Sequence, residues 1–271
     1  MRNIGLHLRL TDTLADIACR AVSLEIPIFQ CFFIRQDTNQ FISLSDEEID
    51  NFLKNWRSNF QDLYLHGSYW INLAQASSKN KIIKREINLA KRVQFTHIII
   101  HTGAATKSHN KQEALATVAR NLNNLLKTEH EIKIVLENSA HAGLSIGGNL
   151  QDFFELKQML DHPEKILFCI DTAHAFVYGY DIFNPQERKN FLKEIERTIG
   201  FDSVAVIHLN DTQQLCRSRI DKHEKIGSGL LGPILQDFVN YELLKKVPLI
   251  MELPVMSQQD ELQVLEIVRK W

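Results

Sequence analysis

The feature that most limits the fold of this chain is an alternation running from end to end. Short, apolar, β-rich runs take turns with stretches whose apolar residues recur every three to four positions. The strand candidates cover 3–8, 27–34, 63–66, 97–101, 132–137, 166–171, 204–209 and 248–252. Most are continuous apolar runs, as parallel strands covered on both faces require. Helical repeats lie between them: Leu14/Ile17/Ala18/Ala21, Ile49/Phe52/Leu53/Trp56, Ile83/Ile87/Ala90 and Leu115/Val118/Leu122/Leu125. Leu150/Phe153/Phe154, Phe191/Ile195/Ile199, Leu235/Phe238/Val239 and Leu262/Leu265/Val268 complete the set. Ser45 and Glu48 make a capping box that opens the second helix. Eight strands alternating with eight helices predict an α/β fold, a (β/α)8 TIM barrel, and 271 residues suit it. A doubly wound open sheet with an extra lobe is the structural rival. No linker or low-complexity tract divides the chain, so a single domain over 1–271 is expected.

Composition removes several functions. No apolar run approaches the ~18 residues of a membrane span, and the first ten residues lack a signal-peptide core. Cys19, Cys31, Cys169 and Cys216 are widely separated and form no paired motif. They read as reduced thiols of a cytoplasmic protein. A formal charge of −2 excludes a strongly basic coat for nucleic acid but not a local patch. The informative excess is histidine, with 11 residues.

Those histidines gather at strand ends. The third strand ends at His66, the fourth at His101, the fifth at Glu137, the sixth at Asp171 and the eighth at Glu252, and His208 comes just before the end of the seventh. His174 follows the sixth strand, and Asp221 and His223 follow the seventh, all three expected in loops. In a parallel barrel every one of these faces the C-terminal mouth, where active sites are built. A single strand-end histidine is more often a hydrogen-bonded barrel residue than a ligand. Buried carboxylates need a partner, and so many convergent acceptors are satisfied only by cations. Imidazole and carboxylate without thiolate favour zinc and admit manganese or iron. Nine ligands are too many for one zinc and nearly saturate two, whereas three ions sharing a bridging carboxylate keep open positions for chemistry.

At these residues the sequence resembles the endonuclease IV family of apurinic/apyrimidinic endonucleases. The resemblance is carried by IGLHL, LHGSYWINL, IIIHTGA, VLENSA, CIDTAHAFVYGYD, IHLNDTQQLCRSRIDKHEKIGSGLLG and PLIMELP, in family order over almost the whole chain. It implies a barrel holding three zinc ions, a double-stranded DNA substrate, and hydrolysis of the phosphodiester 5′ to an abasic site. The products would be a 3′-hydroxyl and a 5′-deoxyribose phosphate. By motif, His66, His101 and Glu137 would bind one zinc. Glu137 would bridge to a second, also held by Asp171, His208 and Glu252, and the third would take His174, Asp221 and His223. The nucleophile would be a metal-bridging hydroxide, with Glu252 able to orient it as well as to bind metal. Tyr69 matches the family tyrosine at the damaged nucleotide.

Three divalent ions, six positive charges, would turn the formal −2 into +4 and make the mouth the electropositive part of the molecule. Lys222, Lys225, Arg217 and Arg219 flank the third group as candidate phosphate contacts, the alternative being ordinary solvated loop charges. The loop after the second strand, FIRQDTNQF, departs from the family pattern; Arg35, Gln36 and Gln40 are available there to meet DNA, and the sequence assigns the inserting role to none of them. A monomer is expected. The rivals are a two-metal sugar isomerase or epimerase on a related barrel, which has no use for the third group, and a non-catalytic DNA-binding barrel, which would have lost a ligand.

Overall fold

The computed structural model describes residues 2–10, 12–35, 38, 40–75, 81–105 and 110–271. Eight parallel strands close a barrel in sequence order: β1 (Ile4–His7), β2 (Ile28–Cys31), β3 (Leu63–His66), β4 (His97–His101), β5 (Lys133–Glu137), β6 (Ile166–Asp171), β7 (Val204–His208) and β8 (Leu249–Met251). The ring is completed by β8 pairing with β1, Gly5 opposite Ile250. Gly5 is required there, because a Cβ would stand 2.3 Å from the Ile28 carbonyl oxygen on β2.

Nine helices surround the barrel among the described residues: α1 (Leu14–Ser23), α2 (Asp46–Asn55), α3 (Lys81–Arg92), α4 (Lys111–Leu126), α5 (Leu150–Gln158), α6 (Thr172–Tyr178), α7 (Pro185–Thr198), α8 (Gly232–Val239) and α9 (Gln258–Arg269). The expected capping box opens α2, with Ser45 and Glu48 bonded reciprocally, and Thr13 and Asp16 do the same for α1. The difference from the sequence reading is α6, which stands where the sequence predicts a loop. Seven residues are too few to show a 3.6 periodicity, and six of these seven are buried, so no polar face betrays the helix. Asp171 caps it, accepting the His174 N–H at 2.7 Å.

The core has two layers. Most apolar residues fill the space between sheet and helices. Inside the barrel Ile28, Tyr64, Ile99, Val135, Cys169, Val206 and Ile250 form a separate plug. Successive strand side chains alternate faces, so the residue two steps beyond each plug residue also points inward, one layer nearer the mouth. Those residues are Gln30, His66, His101, Glu137, Asp171, His208 and Glu252, with His7 taking the corresponding place two steps beyond Gly5. The apolar plug thus carries a polar ring as its upper surface.

Candidate metal centre

Strand register sets the ring's geometry. His101 pairs with Glu137 across β4 and β5, and Asp171 with His208 across β6 and β7. Glu137, wholly buried, lies at the hub. Its Oε2 is 3.2 Å from His66 Nε2 and 3.4 Å from His101 Nε2. Its Oε1 is 2.8 Å from His208 Nδ1 and 3.4 Å from His174 Nδ1. Burial opposes ionisation of Glu137, but His208 and His101 outweigh it and hold the carboxyl well below its ordinary range. Glu252, one residue beyond β8, is likewise held low against burial by His208 and a hydrogen bond with His7.

Three groups of donor atoms result, each within 4.8 Å of one another: His66, His101 and Glu137; Glu137, Asp171, His208 and Glu252; and Asp171, His174 and His223. Asp221 reaches the third, its Oδ1 lying 3.1 Å from His174 Nε2 and 3.3 Å from His223 Nε2. All nine residues singled out in the sequence as ligands therefore converge. Neighbouring groups share Glu137 or Asp171, the arrangement that bridged ions need.

The imidazoles are oriented by what lies behind them. His66 Nδ1 is 2.9 Å from the Gly67 carbonyl, and His174 Nδ1 is 2.9 Å from the Asn138 carbonyl. His208 Nε2 is 2.9 Å from Gln30 Oε1. A neutral ring donating there turns its other nitrogen, lone pair outward, toward the centre, as metal-binding histidines require. His174 Nε2 is buried and faces Asp221 without the alignment of a hydrogen bond. The carboxylates around His174 and His208 favour the charged form of both rings. Burial opposes their protonation, but Asp171 and Asp221 raise His174, and the carboxylates of Glu252 and Glu137 raise His208, both well above the ordinary value. The donor set and its orientation fit divalent cations.

Sequence reasoning missed the supporting amides. Gln30 donates to Glu252 Oε1 at 2.7 Å and lies 2.8 Å from His7 Nδ1. Asn210 donates to Asp171 Oδ2 at 2.6 Å and to Glu252 Oε2 at 3.1 Å. It also missed Asp211, whose carboxylate accepts the N–H groups of Thr212, Gly227, Gly229 and Leu231 and pins the long connection carrying Asp221 and His223. Gly229 permits this, since a Cβ would meet Asp211 at 2.2 Å. The available signals were Gln30 in an apolar strand and the Asn-Asp pair answered by Gly-Ser-Gly downstream. A thiol does approach the centre. Cys169 lies within 4.8 Å of Glu137 and His208, but burial pushes it up to about 12, so it stays protonated at neutral pH.

The centre opens into a cavity of about 430 Å³ bordered by Tyr69, Lys222, Arg9 and Phe32. Tyr69 is 68 % exposed and packs on Phe32, ring centroids 5.0 Å apart. Arg219 does not border this cavity; its guanidinium stacks on Tyr178 at 4.0 Å, from a backbone at φ 63°. Arg35 is held by its N–H to the Gln40 carbonyl and by a guanidinium 3.5 Å from the Asp12 carbonyl, while Gln36 lies outside the described residues. Lys225 is tied to Asp260 at 2.9 Å. A larger cavity of about 1070 Å³ opens at the opposite end of the barrel. Its arginines are spent on structure there, Arg2 on the carbonyls of Val239, Leu244 and Lys245, and Arg269 on those of Leu24 and Glu25. The clustered donors line the smaller cavity.

A family profile described as a xylose isomerase-like TIM barrel matches residues 19–265. The protein named probable endonuclease 4 of Thermosipho melanesiensis is 32 % identical over 220 residues, 77 % of each chain. Apurinic-apyrimidinic endonuclease 1 of Saccharomyces cerevisiae is 32 % identical over 235 residues, 82 % of this chain and 64 % of the yeast protein, so the match spans just under two thirds of that relative. Among solved structures, endonuclease IV from Thermus thermophilus superposes with a TM-score of 0.82 over 99 % of this chain and 98 % of that one, a likeness of fold at 23 % identity. No helix among the described residues is long and apolar enough to cross a membrane.

Proposed function

This chain belongs to the xylose isomerase-like TIM barrels and, within them, to the endonuclease IV family, and from that premise we propose that it is a zinc-dependent apurinic/apyrimidinic endonuclease of base excision repair. It acts as a monomer on double-stranded DNA and hydrolyses the phosphodiester 5′ to an abasic site, leaving a 3′-hydroxyl and a 5′-deoxyribose phosphate. The observation that carries this reading is the trio of donor groups linked through Glu137 and Asp171. A two-metal sugar isomerase has no need of the third.

His66, His101 and Glu137 would hold one zinc, and Asp171, His208 and Glu252 a second bridged by Glu137. His174, Asp221 and His223 would hold the third. When bound, such ions acidify water at neutral pH and neutralise charge on a phosphate under attack. The chain's own groups do the rest. Glu137 stays ionised between the histidines. Glu252 has its Oε1 fixed by Gln30 and its Oε2 facing the centre, where it orients the attacking water. Lys222, at the rim, meets a phosphate oxygen, and the exposed Tyr69 ring packs against the damaged nucleotide. Arg219, preset by its stacking on Tyr178, and Arg35 hold flanking phosphates.

The test is incision of a labelled duplex carrying one tetrahydrofuran abasic analogue, before and after prolonged chelation. That analogue cannot undergo β-elimination, so a cut on its 5′ side reports hydrolysis. A chelator-sensitive cut there, absent from undamaged duplex, is expected. Folded, metal-loaded protein that leaves the analogue intact would overturn the reading.

A further inference from the structure

We propose that the outer face of α3 is a second nucleic-acid contact, a basic groove that grips the backbone phosphates flanking the lesion on one side. The inference rests on the abasic-site reading above and extends it to how much substrate the chain holds. The helix carries five cations, Lys81, Lys84, Arg85, Lys91 and Arg92, against one acid, Glu86. That acid is turned inward and buried, its Oε2 accepting the Ser68 N–H at 3.2 Å, so it leaves the outer face unneutralised. Lys91 is engaged by Glu129 and Glu131, and Arg92 by Asp46.

Lys81, Lys84 and Arg85 remain, all exposed, and form no ion pair among the described residues. Their i, i+3, i+4 spacing places them on one face. Segment 42–44 runs beside that face, enclosing a groove of about 490 Å³ whose apolar side is Ile42, Leu44 and Leu89.

Ring contacts run from the groove toward the mouth. The Arg85 guanidinium lies 4.6 Å from the Phe41 ring centroid, and Phe41 lies 5.2 Å from Trp70. Trp70 is 43 % exposed and follows Tyr69 at the cavity rim. A path of aromatic faces leading from a phosphodiester site into a row of unpaired cations suits a sugar-phosphate chain, whose bases meet the rings and whose phosphates meet the cations. An acidic peptide would use the cations and have no use for the path.

The test compares wild type, Lys81→Glu/Lys84→Glu, and the control Lys189→Glu/Lys193→Glu, which makes the same charge change on the exposed face of α7. Binding is read by fluorescence anisotropy against salt, on undamaged duplex and on abasic-analogue duplexes with a non-hydrolysable linkage at the cut position, each lengthened on one side only. Wild type should gain affinity when one particular side is lengthened. The α3 pair should lose that gain, and its plot of log affinity against log salt should flatten by about 1.8, since each phosphate contact contributes roughly 0.9. The α7 pair should do neither. Lys81→Gln/Lys84→Gln, with its melting temperature recorded, separates the effect from misfolding. Equal slopes for wild type and the α3 pair, or equal flattening in both pairs, would overturn the inference. Wild type that does not prefer the abasic analogue would instead overturn the abasic-site reading, while the slope on undamaged duplex still decides the groove.

Discussion

His66, His101, Glu137, Asp171 and His208 stand on strands hydrogen-bonded on both sides, whereas Asp221 and His223 hang on the long connection between β7 and α8. In the first group the side chains of Glu137, Asp171 and His208 are at 0 % exposure and His66 at 5 %, with His101 at 36 % where the centre opens to the cavity, while those of Asp221 and His223 reach 39 % and 17 %. Barrel closure alone places the strand-borne donors. The loop-borne donors need a device of their own, and Asp211 supplies it by gathering four backbone N–H groups. One half of the centre is fixed by barrel closure and the other by loop anchors, the Asp211 carboxylate together with Thr212, whose hydroxyl donates to the Lys222 carbonyl between the two loop-borne donors at 2.7 Å.

The comparison breaks most severely at the hub. Glu137→Ala removes the carboxylate shared by two donor groups, and incision of the abasic analogue should fall by at least about 10³-fold, each tenfold being 1.36 kcal/mol. Circular dichroism should still show a folded barrel. Near-normal incision would mean that Glu137 bridges nothing.

Asp211→Ala should act on the loop-borne half alone. Leaving four N–H groups without their acceptor costs about 3 kcal/mol or more. Amide exchange should therefore accelerate across 212–231 while the strands keep their protection. Uniform loss of protection would show that the two halves are not separately held.

The contrast also explains what could be read from the sequence. A (β/α)8 barrel obliges the last inward residue of every strand to face the mouth, so His66, His101, Glu137, Asp171, His208 and Glu252 were legible from position alone. His7 and Gln30 occupy the same layer but carry no ionisable signal strong enough to stand out singly. Asp221 and His223 were placed by proximity to a strand and by resemblance, because no periodicity governs a long loop. Helix α6 was invisible for want of a polar face, and with it the turn that brings His174 inward.

Behind the centre, Gln30→Ala frees His208 Nε2 and Glu252 Oε1 together. Losses of such supporting bonds are typically 10–100-fold in metal affinity or activity. A metal-competition titration should show about that much weakening, and an unchanged affinity would remove Gln30 from the centre.

The smallest expected effect is on pH dependence. His174 and His208, raised above 6.5, stabilise the metal-free barrel fully below about that pH and lose their contribution as pH rises through their folded values. Glu137 and Glu252, held below 4.5, contribute above about that pH and fail as it falls through theirs. Asp171, pushed up by burial, subtracts from this gain above its ordinary 3.8. His7, His97 and His101, lowered by burial and the last two to about 4, subtract below about pH 6.5, and chelated protein should still lose stability as pH rises through the raised values of His174 and His208. Metal-loaded protein should shift its maximum upward, because binding needs deprotonated imidazoles. Identical profiles would contradict this coupling.

The central claim is tested most directly by counting metal. Elemental analysis of purified wild type, Asp221→Ala and Glu137→Ala should give about three zinc ions per chain, about two, and one or fewer, since four ligands each is the usual zinc complement and bridging shares them. Wild type holding a single ion, or Asp221→Ala retaining the full wild-type complement, would contradict a centre built from strand-borne and loop-borne halves.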